Sequence, residues 1–317
     1  MTTTRSLFPP SRRGRRTRAV PVLAVLAALG AACGGATAVR PTATTTPTAG
    51  PEAGVTSRYG ADTGAPNAPT TVAAIAATHA YTDQIQTSAA GFVAAVTTLQ
   101  ADVARGDVPA ARADELVAQG DYDSLRVLES GNTINASALD ELATDVPPGQ
   151  SFGGLHAVER DLWVGGPAAA DVEDLATQAP VAQFLLSRAR LGPEAIGTTA
   201  VDQLDWVSDT ALPRSQEQVS HLGLVDVTAT VEASARAFGD VEPLAHLVDP
   251  TLTSTVAGQY AALAADCAAL GPPTTTPDTS VSPAAELVLF HQLDATATEL
   301  ARLAAELAPY GTAGAPS

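Results

Sequence analysis

At 317 residues the chain is long enough for one large or two ordinary domains, and its apolar mass comes mainly from Ala, Leu and Val, with few aromatics. That composition favours helices packed through small side chains over a sheet of β-branched and aromatic residues. All 17 basic residues are Arg, and six of them precede Cys33. The rest of the chain therefore sets 11 Arg against all 34 acids, a formal charge of −23 that repels nucleic acid and anionic headgroups.

The first segment reads as an address. Arg5, Arg12, Arg13, Arg15, Arg16 and Arg18 are followed by the apolar run Ala19–Leu29 and then by Gly30-Ala31-Ala32-Cys33. A positive start, a short apolar stretch and small residues at a cleavage point make a secretory signal, too short for a permanent membrane span. The cysteine directly after the small residues makes residues 1–32 a lipoprotein signal peptide, with Cys33 lipidated at the mature N-terminus. The expected location is the extracytoplasmic face of the cell membrane, with membrane lipid engaged through Cys33. Ser11-Arg12-Arg13 hints at twin-arginine export, but the residues after it fit poorly.

Residues 33–71, dominated by Thr, Ala, Pro and Gly, cannot bury a core and read as a disordered tether. Residues 72–310 read as the folded part and 311–317 as a disordered tail. Ile85, Ala89, Phe92, Val96, Leu99 and Val103 recur at steps of four and three, one apolar stripe on a long helix that Arg105-Gly106-Asp107 ends as a helix-to-helix turn. Stretches around 108–130, 168–190, 194–210, 214–238 and 250–269 are helix-like, separated by Pro, Gly or Asp clusters. Cys267, the only cysteine besides Cys33, reads as a small buried apolar residue. After Gly271–Asp278, rich in Pro and Thr, Ser282-Pro283 caps a last helix with the stripe Phe290, Leu293, Ala297, Leu300, Ala304 and Leu307. The expectation is an all-α helical bundle.

There is no G-x-G-x-x-G, P-loop or C-x-x-C, so nucleotide chemistry lacks its usual carriers. The informative stretch is Pro148–Trp163. His156 and Glu159 are three apart, share a helix face and can hold one ion together. Imidazole plus carboxylate suits iron, zinc or manganese. Taken alone, H-x-x-E is also the pattern of an ordinary solvated His–Glu pair.

Gly154-Leu-His-Ala-Val-Glu-Arg-Asp-Leu-Trp163 resembles the G-F-H-x-I-E-x-x-L-W signature of the EfeO/EfeM-imelysin family, also catalogued as M75 peptidases. Ser220-His-Leu-Gly-Leu-Val-Asp226 with Val231-Glu232 is similar to the family's S-H-T-D-L-W-D…V-E. Tyr122-Asp-Ser-Leu-Arg126, with Asp140 downstream, resembles its Y-E-x-I-E…D segment. The resemblance spans about residues 72–310 and implies an imelysin-like pair of packed helical bundles with a site between them. It also implies an iron-binding component of a ferrous-iron uptake system, working with an iron permease and a haem peroxidase. His156 and Glu159 match the family's metal pair, and Asp123 and Asp140 match its first Glu and its Asp. His221 has a family counterpart and reads as a supporting residue, as does Asp161. Two positions depart from the pattern: Arg126 replaces a Glu, and Gly223 replaces an Asp. An Arg pointing at the site would repel a cation. Residues 34–70 read as far too short and unpatterned for the cupredoxin domain of the full-length form, so the chain resembles the shorter EfeM-like form.

Three functions follow from these residues. The first is capture of a metal ion, iron before zinc or manganese, through His156 and carboxylates. Neutral imidazole is required, so affinity should fall below about pH 6.5. The second is a metal-free helical interaction lipoprotein whose site has degenerated. The third, a metallopeptidase, fits poorly and the chain is not expected to be an enzyme: no H-E-x-x-H occurs, and Arg160 stands where H-x-x-E-H needs its second His.

Overall fold

The computed structural model describes residues 67–128, 136–144, 146–147, 149–150, 152–214 and 216–311. The stretch read as a signal peptide, Cys33, most of the stretch read as a tether and residues 312–317 lie outside the described residues. The described residues are all-α, with no strand among them.

The elements are α1 (Ala68–Arg105), α2 (Val108–Asp123), a 3-10 turn (Arg126–Leu128), α3 (Ala136–Asp140), α4 (Leu155–Val164), α5 (Ala169–Leu186), α6 (Pro193–Trp206), α7 (Leu224–Val248), α8 (Pro250–Ala269) and α9 (Pro283–Glu306). Local chemistry sets most of the ends. Asn67 and Thr70 form a reciprocal capping box, so α1 starts at Ala68, inside the stretch read as tether. Gly106 closes α1 in the left-handed region, φ 71°, and Asp107 caps α2 by accepting from the Ala110 N–H. Arg105-Gly106-Asp107 is thus the turn that its sequence implies. Asp249 and Ser282 cap α8 and α9, each followed by a proline in the first turn.

The apolar stripe of α1 is buried from Ile85 to Leu99. In α9 the stripe sits differently from its sequence reading: Phe290 is exposed and Leu289 is buried in its place, because the helix meets α6 and α8 along Leu289, Leu293, Leu300 and Leu303. The segment read as a helix over 214–238 is shifted. Residues 216–223 form a loop, and α7 runs on through Gly239 and Pro243 to Val248. A proline inside a helix costs about 3 kcal/mol, and here the buried face of Phe238, Val241, Leu244 and Ala245 offsets it.

Two groups of four helices pack together in one compact unit. α1 gathers α2 and α5, with α4 set against both of these. α6, α7, α8 and α9 form the second group, and α1 and α2 rest on α7. Within the second group Gly197 lets α6 approach α9: a Cβ there would stand 2.9 Å from the Ala304 Cβ. Cys267 is buried, as its surroundings imply, and burial pushes its thiol up to about 11.

Phe92, 1 % exposed on α1, packs its ring 5.6 Å from that of Tyr122 at the end of α2, next to Asp123. Phe92→Ala should cost about 3–5 kcal/mol of stability, read from urea unfolding followed by circular dichroism.

Candidate metal centre

The last turn of α2, the end of α3, the start of α4, the loop 216–220 and the first turn of α7 converge on one buried polar cluster. Glu115, Gln119 and Asp123 lie at steps of four along α2, all with zero exposure. Asp226 projects from α7 and Glu217 from the loop, both equally buried. His156 and Glu159 come from adjacent turns of α4, with 3 % and 1 % exposure.

Gly154 makes this convergence sterically possible. It precedes α4 at φ 78°, and a Cβ on it would stand 2.6 Å from the backbone carbonyl of Leu139 and 2.8 Å from the Asp140 nitrogen. A side chain would hold the end of α3 away from α4. Without one, Asp140 Oδ1 comes within 3.0 Å of His156 Nε2.

The other imidazole nitrogen faces two carboxylates. His156 Nδ1 is 3.5 Å from Glu217 Oε1 and 3.9 Å from Glu159 Oε2. Glu159 Oε1 is fixed by two backbone donors, accepting from Val219 N–H at 2.9 Å and Ser220 N–H at 2.6 Å, which leaves Oε2 turned toward the imidazole. One donor atom from each of His156, Glu159 and Glu217 lies within 4.8 Å of the others. This is the grouping a single cation requires. Asp140 stands behind the imidazole, where a carboxylate fixes the ring's orientation and raises its basicity.

Asp123 and Asp140 belong to the same cluster but are held by Arg126. Its guanidinium bonds Asp123 Oδ1 through Nε at 3.2 Å and Nη2 at 2.5 Å, and Asp140 Oδ2 through Nη1. It lies over the Trp206 ring at 4.3 Å and near Tyr122 at 5.1 Å. Arg126 therefore does point into the cluster, as an internal countercharge to the two aspartates rather than toward the His156–Glu159–Glu217 group. His221 is exposed, at φ 60°, and its backbone carbonyl accepts from Asp278; it takes no part in the cluster. Asp161 is buried and tied to Arg160 at 2.7 Å. Gly223 sits ahead of the first turn of α7 and contributes no side chain.

Glu115, Glu217 and Asp226 went unassigned in the sequence. The period of four in Glu115, Gln119 and Asp123 was a readable sign of a polar face turned inward. Glu217 had none, because it lies in a loop whose path back to α4 no local pattern encodes.

Burial dominates the ionisation of the cluster. It holds the Glu115, Glu217 and Asp226 carboxyls well above the carboxylate range, reinforced by the neighbouring acids, and raises Asp123 against the pull of Arg126. At Asp140 burial is outweighed by Arg126 and His156, and the carboxyl falls to about 2. Burial would lower His156, but Asp140 outweighs it and the imidazole is raised. Both Glu115 oxygens lack a hydrogen-bond partner, a costly arrangement for a carboxylate unless a proton or a cation compensates it.

A cavity of about 130 Å³ opens onto the group, lined by His156, Glu159, Arg160, Gln216 and Gln218 with Phe152 at its edge. The arrangement can hold one cation through a nitrogen and two carboxylates, with coordination positions left toward the cavity. No protein-family model and no curated protein matches the chain.

Two stability effects follow. Carboxyls and an imidazole whose folded pKa values are raised bind protons more tightly folded than unfolded, so the metal-free protein should gain stability as pH falls from 8 to about 5. Asp140 works oppositely: its contribution is present above its unfolded value near 4 and is lost as pH falls toward 2. The midpoint of thermal unfolding, measured with chelator present, should therefore peak near pH 5. Arg126→Met leaves Asp123 and Asp140 buried without a countercharge and should cost about 3–5 kcal/mol at pH 7. The loss should shrink at pH 4, where the orphaned acids take up protons; urea unfolding at both pH values checks this.

Proposed function

We propose that this chain is an extracytoplasmic lipoprotein that captures a first-row transition-metal ion, iron foremost, at His156, Glu159 and Glu217. The observation that carries the reading is the buried group of three donor atoms within 4.8 Å of one another, open to a cavity on one side. One imidazole and two carboxylates suit iron, zinc or manganese, and two carboxylates neutralise a divalent ion. The coordination positions toward the cavity favour exchange, which capture and hand-over require. Asp140 positions the imidazole, and Arg126 keeps Asp123 and Asp140 charge-balanced whether or not the ion is bound.

The resemblance of Gly154–Trp163 to the EfeO/EfeM-imelysin signature supports iron as the cargo and a permease, with a haem peroxidase, as the receiving system. The Arg-rich start, the apolar run and Cys33 support anchoring to the outer face of the membrane through lipid. No helix among the described residues is long and apolar enough to cross a membrane. A metal-free interaction protein on the same scaffold is the competing reading, and Arg126 inside the cluster is the feature that keeps it open.

Isothermal titration with Fe²⁺ under anaerobic conditions, with Zn²⁺ and Mn²⁺ in parallel, separates the two. One ion should bind saturably, and His156→Ala/Glu159→Ala should weaken it by roughly a hundredfold or more with the helical circular dichroism intact. Because the imidazole is raised in the folded protein, protons compete from above pH 6.5, and affinity should already decline between pH 8 and pH 6.5. Absence of binding to the folded wild type would leave the interaction reading in its place.

A further inference from the structure

The cavity beside the three ligands contains a donor that the protein does not use. Gln216 lines it and is 3 % exposed, and its Nε2 has no hydrogen-bond partner. Native proteins nearly always match a buried amide donor with an acceptor, so this one marks a place for an oxygen-bearing ligand. Arg160 lines the same cavity. Its bonds to Asp161 and Asp171 engage Nε and Nη2, so neither acid uses Nη1. An amide N–H and a guanidinium are the donor types that recognise oxyanions.

His156 and Glu159 on the cavity wall would place the ion at this boundary, its open coordination positions facing the same space. The cavity of about 130 Å³ has room for a carbonate-sized anion and accompanying water.

Resting on the cation-binding reading above, we propose that the ion is held together with a carbonate-sized oxyanion that bridges its open positions and Gln216 Nε2, with Arg160 supplying countercharge. The cation enters first. Before it does, the buried carboxylates around the group repel an anion; once it is bound, the positive charge and the two donors draw the anion in. The anion is thus part of the cargo complex, and releasing it opens the coordination sphere for transfer of the ion.

The test is titration of the full chain with Zn²⁺ in argon-purged, carbonate-free buffer and in buffer with added bicarbonate. Bicarbonate should tighten binding about tenfold, or about 1.4 kcal/mol. Gln216→Leu should still bind the ion but lose that gain. ¹³C-labelled bicarbonate should give a bound resonance with zinc-loaded protein and none with ion-free protein. Equal affinity in both buffers with no bound ¹³C signal would overturn the oxyanion and leave cation capture standing. A gain retained in Gln216→Leu would overturn the anchoring by that amide. Failure to bind Zn²⁺, and Fe²⁺ or Mn²⁺ in its place, in either buffer would overturn the cation reading at this site, and the oxyanion with it.

Discussion

Burying six carboxylates in the middle of a helical bundle is the constraint that shapes this protein. Glu115, Asp123, Asp140, Glu159, Glu217 and Asp226 are each nearly sealed from solvent. Charge of one sign cannot be desolvated at that density without compensation. The fold supplies the guanidinium of Arg126 for Asp123 and Asp140 and backbone N–H groups of the 216–220 loop for Glu159, while burial raises the Glu115, Glu217 and Asp226 carboxyls and so favours their protonated form. His156 stands between the compensated and the protonated parts, with one nitrogen facing each. A cation replacing the protons would complete the balance.

Steric economy at one residue lets this happen. α3 and α4 meet where Gly154 carries no side chain, and the meeting sets Asp140 behind the imidazole. The same imidazole can then present Nδ1 to Glu159 and Glu217. Trp206, at the end of α6, covers the guanidinium on its outer side, so the polar centre is walled by aromatic surface as well as by helix backbone.

The helices were legible wherever periodicity and capping agreed. Asp107, in the stretch read as a turn, and Ser282, read as a cap, do accept from the first free N–H groups of α2 and α9, whereas Asn67 caps α1 inside the stretch read as tether. Reading failed where a breaker was overruled by burial, as at Pro243, and where two adjacent apolar residues competed for one face, as at Leu289 and Phe290. Of the site, His156 and Glu159 could be read because their partnership is local to one helix. Asp123 and Asp140 entered only through the family resemblance, as counterparts of metal ligands; their pairing with Arg126 instead depends on the path between α2 and α3, which no spacing rule fixes. Glu217 and Gln216 come from a loop more than fifty residues beyond the end of α4 at Val164, and only the closed fold brings them there.

That wide separation bears on where a cation could first be held by this chain. The donors span from His156 to Glu217, and their supports from Glu115 to Asp226, so no short stretch of chain assembles the centre. Contacts this distant in sequence close late in folding, because loop closure precedes any reward. An unfolded chain offers a passing ion only isolated carboxylates and a lone imidazole. If the chain is threaded through a membrane before it folds, the ion it first meets with a complete centre belongs to the far side. Under the proposed function, the compartment of folding, and not intrinsic affinity alone, would then decide which metal is taken up.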